Sequence, residues 1–176
     1  FFVDDGLIGS GASRTVAVTP ALNQVGAATI TITVNDGNFG IASTSFVVTV
    51  VPVNDLPTIS ALGPLTINED TASAPIPFTV GDVETGLDVL IVTATSSNPG
   101  LVPNANIAVV GYGASRALVI TPAPNQSGTS TITLVVNDGT GGTGTNSFLL
   151  TVLPVNDLPT ISDIADQSIN EDGAIV

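Results

Sequence analysis

The sequence predicts an all-β protein made of tandem antiparallel, seven-stranded β-sandwiches set end to end. Apolar residues alternate with small or polar ones in short runs, as in Ile76-Pro77-Phe78-Thr79-Val80 and Ile132-Thr133-Leu134-Val135-Val136, the period of a half-buried strand. No stretch carries the period of an amphipathic helix. The chain also repeats itself: Val53–Ser60 returns unaltered as Val155–Ser162, an offset of 155 − 53 = 102 residues. The same offset carries Asn68-Glu69-Asp70 to Asn170-Glu171-Asp172, Asn35-Asp36-Gly37 to Asn137-Asp138-Gly139, Asn23-Gln24 to Asn125-Gln126, and Gly11–Arg14 to Gly113–Arg116. A unit of this length is too long for a solenoid repeat and has the size of an independently folding domain.

The repeat divides the chain into a complete sandwich, 53–154, preceded by the C-terminal half of another, 1–52, and followed by the N-terminal part of a third, 155–176. On this reading the sequence is an excerpt of a longer array. In the first part, Ile30, Ile32 and Val34 and then Phe46, Val48 and Val50 mark the last two strands. In the complete repeat, Thr58–Ser60 and Leu65–Ile67 form a broken first strand. Ile76, Phe78 and Val80 form the second, and Leu90, Val92 and Ala94 the third. Two shorter strands follow at Ile107–Val110 and Ala117–Thr121. Ile132, Leu134 and Val136 then face Phe148, Leu150 and Val152 across the Gly-rich loop Asp138–Asn146, a hairpin. Pro75 and Pro77 remove ladder donors and place their segment at a sheet edge or a strand start. The joint Val-Asn-Asp-Leu-Pro is a short stiff connector, because proline restricts both itself and the residue before it.

Composition narrows the chemistry. The chain has no Cys, His, Met, Trp or Lys, and its only cations are Arg14 and Arg116. Disulfides, thiolate or imidazole metal sites, Cys or Ser–His nucleophiles, lysine phosphate loops and lysine isopeptide bonds are thereby excluded. A formal charge of −13 and a pI near 4.1 disfavour nucleic acid and anionic membranes and favour cations as partners. No apolar run approaches the length of a membrane helix, so no membrane insertion is expected in this segment.

Most of the acids fall at strand ends: Asp55 in the joint, Glu69 and Asp70 after the first strand, Asp82 and Glu84 after the second, Asp138 before the hairpin loop. Strand ends of an antiparallel sandwich gather at two poles. These carboxylates are therefore expected to converge near the joints, where two arginines cannot neutralise them. Carboxylates, amides and backbone carbonyls together suit Ca²⁺, which takes six to eight oxygens at about 2.3–2.6 Å. Ordinary turn acids that keep an apolar array soluble are the competing reading.

At these residues the chain resembles cadherin repeats and, more closely, the bacterial cadherin-like and Ig-like tandem repeats of large surface and secreted proteins. The joint Val-Asn-Asp-Leu-Pro looks like a cadherin linker. Ile67–Asp70 looks like the glutamate ending the first cadherin strand, Asp82-Val83-Glu84 like the Asp-x-Asp motif, and Asp138 like the later aspartate before the last hairpin. The resemblance implies an upstream joint built from Asn54, Asp55, Asp82, Glu84 and Asp138. It implies a downstream one built from Glu69 and Asp70 with Asn156 and Asp157. Asp36 and Glu171 would serve joints further out. Where cadherins carry an Asp-Arg-Glu motif this chain has Thr121–Gln126, with Asn125 and Gln126 as amides, which implies one or two ions per joint instead of three.

The function expected is structural, in the stalk of an adhesin or the body of a surface fibre, at the bacterial surface or outside the cell. Ca²⁺ would stiffen the joints, which would bend without it. The partners expected are Ca²⁺, neighbouring repeats and, in a fibre, other copies of the chain. The alternatives are a module binding glycan or protein through the loops Asn98–Asn106 or Asp138–Asn146, and a subunit of a polymeric filament completed by strand addition. No enzyme is expected, aromatic residues being too few for a sugar-stacking site. Arg14 and Arg116 read as structural, Asn68 and Asn170 as local backbone caps, and Asn125-Gln126-Ser127 as a chance glycosylation sequon.

Overall fold

A computed structural model describes residues 2–8, 12–169 and 171. Asn170 and Asp172 lie outside the described residues. Among the described residues, four strands precede the joint: β1 (Phe2–Ile8), β2 (Thr15–Pro20), β3 (Gly26–Asn35) and β4 (Ile41–Val50). They form antiparallel pairs β1–β2 and β3–β4. Eight follow: β5 (Thr58–Ile59), β6 (Leu65–Asn68), β7 (Ile76–Gly81), β8 (Ile91–Ser96), β9 (Ile107–Tyr112), β10 (Ser115–Ile120), β11 (Gly128–Asn137) and β12 (Thr143–Leu153). These make two four-stranded sheets, ordered β5-β7-β10-β9 and β6-β12-β11-β8.

The core between the sheets is the alternating set the sequence marks. Ile132, Leu134 and Val136 on β11 are fully buried, as are Leu118 and Ile120 on β10 and Leu150 on β12. Phe78, Val80 and Phe148 close its sides, and Leu101 and Val102 cover one end from the loop after β8. Burying each such side chain contributes about 1.5–3 kcal/mol. Two buried hydroxyls, Ser96 and Ser130, satisfy each other at 2.8 Å.

Three details depart from the expected pattern. The first strand is broken as expected, and its halves part, with β5 in one sheet and β6 in the other. Gly63-Pro64 lies in the crossing, where proline cannot donate to a ladder. The sandwich is consequently not wholly antiparallel: β6 runs parallel to β12, with Ile67 opposite Val152. The hairpin loop is also shorter than Asp138–Asn146, because β12 begins at Thr143 and Val136 pairs with Gly144. Leu90 falls just before β8, its side chain nonetheless in the core. Pro77 lies inside β7, but β5 reaches only Val80 and Gly81, so β7 is an edge at that point. Arg116 is structural: its Nε donates to Gly113 O at 2.9 Å and its Nη2 to Leu87 O at 3.0 Å, tying the β9–β10 turn to the β7–β8 loop.

The hairpins β3–β4 and β11–β12 share one register, Gly26 opposite Val50 and Gly128 opposite Val152. Their burial differs. Val34 is 65 % exposed where its counterpart Val136 is fully buried, because among the described residues only the second hairpin has a sheet packed over it. Residues 154–169 run without strand pairing, and Ile161 is exposed where Ile59 packs against the core.

Candidate functional site

The connector enters the sandwich at the pole formed by the β7–β8 and β11–β12 loops. Pro57 is fully buried there, and its carbonyl approaches so closely that a Cβ on Gly144 would overlap it. Just upstream, the Asn54 side chain is held on both ends. Its Nδ2 donates to Asp138 Oδ2 at 2.7 Å, and its Oδ1 accepts from Thr140 Oγ1 at 2.7 Å.

Asp138 organises the hairpin turn. Its Oδ1 accepts the backbone N–H of Thr140 at 2.7 Å and of Gly142 at 2.9 Å, an Asx turn closed by Asp138 N donating to Gly142 O. Gly139, at φ +79°, supplies the left-handed step. With these donors the Asp138 carboxyl is lowered to about 2: the Asn54 amide is the largest cause, burial opposes it, and the Thr140 and Gly142 amides add to it. Asp36 makes the same turn in the first hairpin, accepting from Asn38 N at 2.7 Å and Gly40 N at 2.9 Å.

The second acidic loop carries Asp82 and Glu84. Asp82 Oδ1 accepts from Glu84 N at 3.0 Å and Thr85 N at 2.6 Å. Its other oxygen, Oδ2, is buried with no hydrogen-bond partner. Glu84 Oε2 accepts the backbone N–H of Asp55 at 3.0 Å, linking this loop to the connector. Beside Asp55 and Glu84 opens a cleft of about 310 Å³, walled on its far side by the β2–β3 turn with Asn23 and Gln24.

At the opposite pole Glu69 is buried, 6 % exposed, and its Oε1 accepts Val155 N at 2.8 Å while its own N–H donates to Leu153 O at 2.9 Å. Asp70 does not turn toward the connector. It sits at φ +60°, and its Oδ1 accepts Asn125 N, itself in a left-handed residue at φ +54°. Asn156 and Asp157 are exposed and linked to each other, Asn156 Nδ2 donating to Asp157 O at 3.0 Å. Glu171 is an exposed turn residue.

The structure thus brings Asn54, Asp55, Asp82, Glu84 and Asp138 to one pole and Glu69 and Asp70 to the other, and leaves Asp36 in its own turn. Among the described residues no three acidic side chains come together as a group able to hold a metal. Two participants escape a reading of the sequence: Thr140, whose counterpart at the repeat offset is Asn38, and Gly142. Gly142 carried a signal, since Gly40 occupies the equivalent place and both crowd the turn aspartate: a Cβ at either would collide with the carboxylate.

Among solved structures, a mouse cadherin-23 fragment (EC22–24) is similar over 81 % of this chain and 47 % of its own length, at 23 % identity and TM-score 0.51, and shares the fold. The S-layer protein SbsC, domains 4 and 5, is similar over 78 % of this chain and 62 % of its own, at 17 % identity and TM-score 0.43. A titin M10–obscurin-like 1 Ig complex covers 57 % of this chain and 97 % of its own, at 16 % identity and TM-score 0.41. No curated protein is significantly similar to the chain. The family model of the bacterial Ig domain matches residues 54–151, the two packed sheets with the connector that enters them, and the chain belongs to that family.

Proposed function

We propose that this chain is part of the structural body of a bacterial surface or secreted protein, a series of β-sandwiches whose joints take up Ca²⁺. The observation that carries the proposal is Asp82 Oδ2, a carboxylate oxygen buried without a donor at the pole where the connector enters. A buried anionic oxygen left unpaired is costly. Glu84, whose N–H donates to the other oxygen of Asp82, and the exposed Asp55, whose N–H donates to Glu84, belong to the same pole, in a chain whose formal charge is −13. A cation relieves both conditions, and hard oxygen donors select Ca²⁺.

The fit is to a weak site. Asp82, Glu84 and Asp55 supply the available carboxylates, whereas Asp138 already accepts several N–H groups and Asn54 is engaged on both sides. An ion held this way neutralises Asp82 and fixes the β7–β8 loop against the connector. Asn156 and Asp157 would play the part of Asn54 and Asp55 toward a following domain. Membership in the bacterial Ig domain family and a β-sandwich architecture support the structural role.

Calorimetric titration with CaCl₂ tests the reading. It predicts saturable binding in the range of extracellular calcium modules, about 10⁻⁴–10⁻³ M, lost in Asp82→Asn and not reproduced by MgCl₂. Heats of dilution alone would overturn it.

A further inference from the structure

We propose that each connector is clasped from both sides by hydrogen bonds of the chain itself, so that a joint keeps its order without any ion. The two connectors, Val53–Pro57 and Val155–Pro159, have one sequence, and each displays one half of the arrangement. The first shows the attachment to the domain after it. Asn54 is pinned between Asp138 and Thr140 at 2.7 Å on each side, Asp55 N donates to Glu84 at 3.0 Å, and Pro57 is buried. The second shows the attachment to the domain before it, with Val155 N donating to the buried Glu69 at 2.8 Å.

The positions interlock. Val155 corresponds to Val53, which immediately precedes Asn54, so the upstream clasp ends on one residue and the downstream clasp begins on the next. No unheld residue remains between them to act as a hinge. Apart from the Thr140 hydroxyl bond to Asn54 Oδ1, the acceptors on both sides are carboxylates, and N–H donors to carboxylates make the shorter and stronger class of hydrogen bond. Glu69 and Asp138 therefore have their charge met by the chain's own donors, and repulsion between acids is not what positions the connector. The parts recur at the repeat offset: Glu171 stands where Glu69 does, Asp36 where Asp138 does, and Asn38, another side chain able to donate, where Thr140 does. Joining the two halves rests on the serial arrangement proposed above; each half stands by itself.

The consequence is a division of labour. Order in the connector comes from the hydrogen bonds, whereas an ion at Asp82 adds stability without creating that order.

Backbone ¹⁵N relaxation of the whole chain in excess EDTA tests the proposal. The amides of Asp55 and Val155 should show order parameters like those of β11, about 0.85, against less than about 0.6 for a flexible segment. Asn54→Ala should drop the first connector to the flexible value. Glu69→Ala should do the same at Val155, whereas Glu69→Gln, which keeps an accepting oxygen, should not. Unchanged β11 amides report that each variant is folded. Flexible connector amides in EDTA in the wild type would overturn the clasp, and if CaCl₂ then ordered them the ion reading would survive it. Ordered amides in EDTA that CaCl₂ leaves unshifted would support the clasp and remove the ion reading.

Discussion

Replacing Gly142 by alanine isolates the knot that holds the connector. Gly142 has no positive φ, so the substitution adds no backbone strain and acts through its new methyl alone. That methyl would collide with the Asp138 carboxylate and stand 3.0 Å from Asn54 Nδ2, the two groups that bond at 2.7 Å. The clash is relieved only by rotating the carboxylate away, which forfeits the Gly142, Thr140 and Asn54 donors together. Overpacking of this kind costs about 1–3 kcal/mol, offset by about 0.4–1 kcal/mol because alanine restricts the unfolded chain. The net loss of roughly 1–2 kcal/mol lowers Tm by about 4–16 °C in a domain of this size. Gly63→Ala is the control: a Cβ there meets nothing within 4 Å, so only the unfolded-state gain applies and Tm rises by about 2–8 °C. Calorimetry on the two variants decides the matter. The reasoning is refuted if they shift Tm in the same direction, or if Asp138 titrates in Gly142→Ala as in the wild type.

Two further outcomes follow from packing and charge. Val136→Ala removes two methylene equivalents from a fully buried position, costing about 1.6 kcal/mol of transfer energy before any cavity term. Val34→Ala at the matching, largely exposed place in the first hairpin should stay within about 0.5 kcal/mol, and urea unfolding of the two variants measures the difference. The Asp138 carboxyl, lowered from 3.8 to about 2 in the folded chain, contributes stability that is complete above pH 4 and lost as pH falls from 4 to 2. Urea midpoints of wild type and Asp138→Asn should therefore converge over that interval and stay separated above it.

The strands were legible because alternation of period two survives intact in β7, β11 and β12, and their inward residues are those buried. Burial itself was not legible from the strand alone. Val34 and Val136 sit in matching patterns, and only the sheet packed over the second makes it core. The parallel pairing of β6 depends on which sheet the chain joins after Gly63-Pro64, a tertiary outcome that no local pattern encodes. At the two poles, the repeat offset marked Asn54, Glu69 and Asp138, since all three recur. It could not tell whether an asparagine would turn its amide nitrogen to a carboxylate or its oxygen to an ion, and the structure has the first. Asp70 diverges for a tertiary reason: its carboxylate accepts the N–H of Asn125, which the fold brings to it from a loop distant in sequence.

Thermal unfolding of the chain in CaCl₂ and in excess EDTA, with MgCl₂ at matched ionic strength, tests the central claim most directly. At ten to a hundred times Kd, an ion bound only to the folded form adds about 1.4–2.7 kcal/mol. The structural-array reading with calcium at its joints predicts a Ca²⁺-specific rise in Tm that Asp82→Asn abolishes. Superimposed curves would contradict it and leave the acids at the pole as turn caps and solubilising charge.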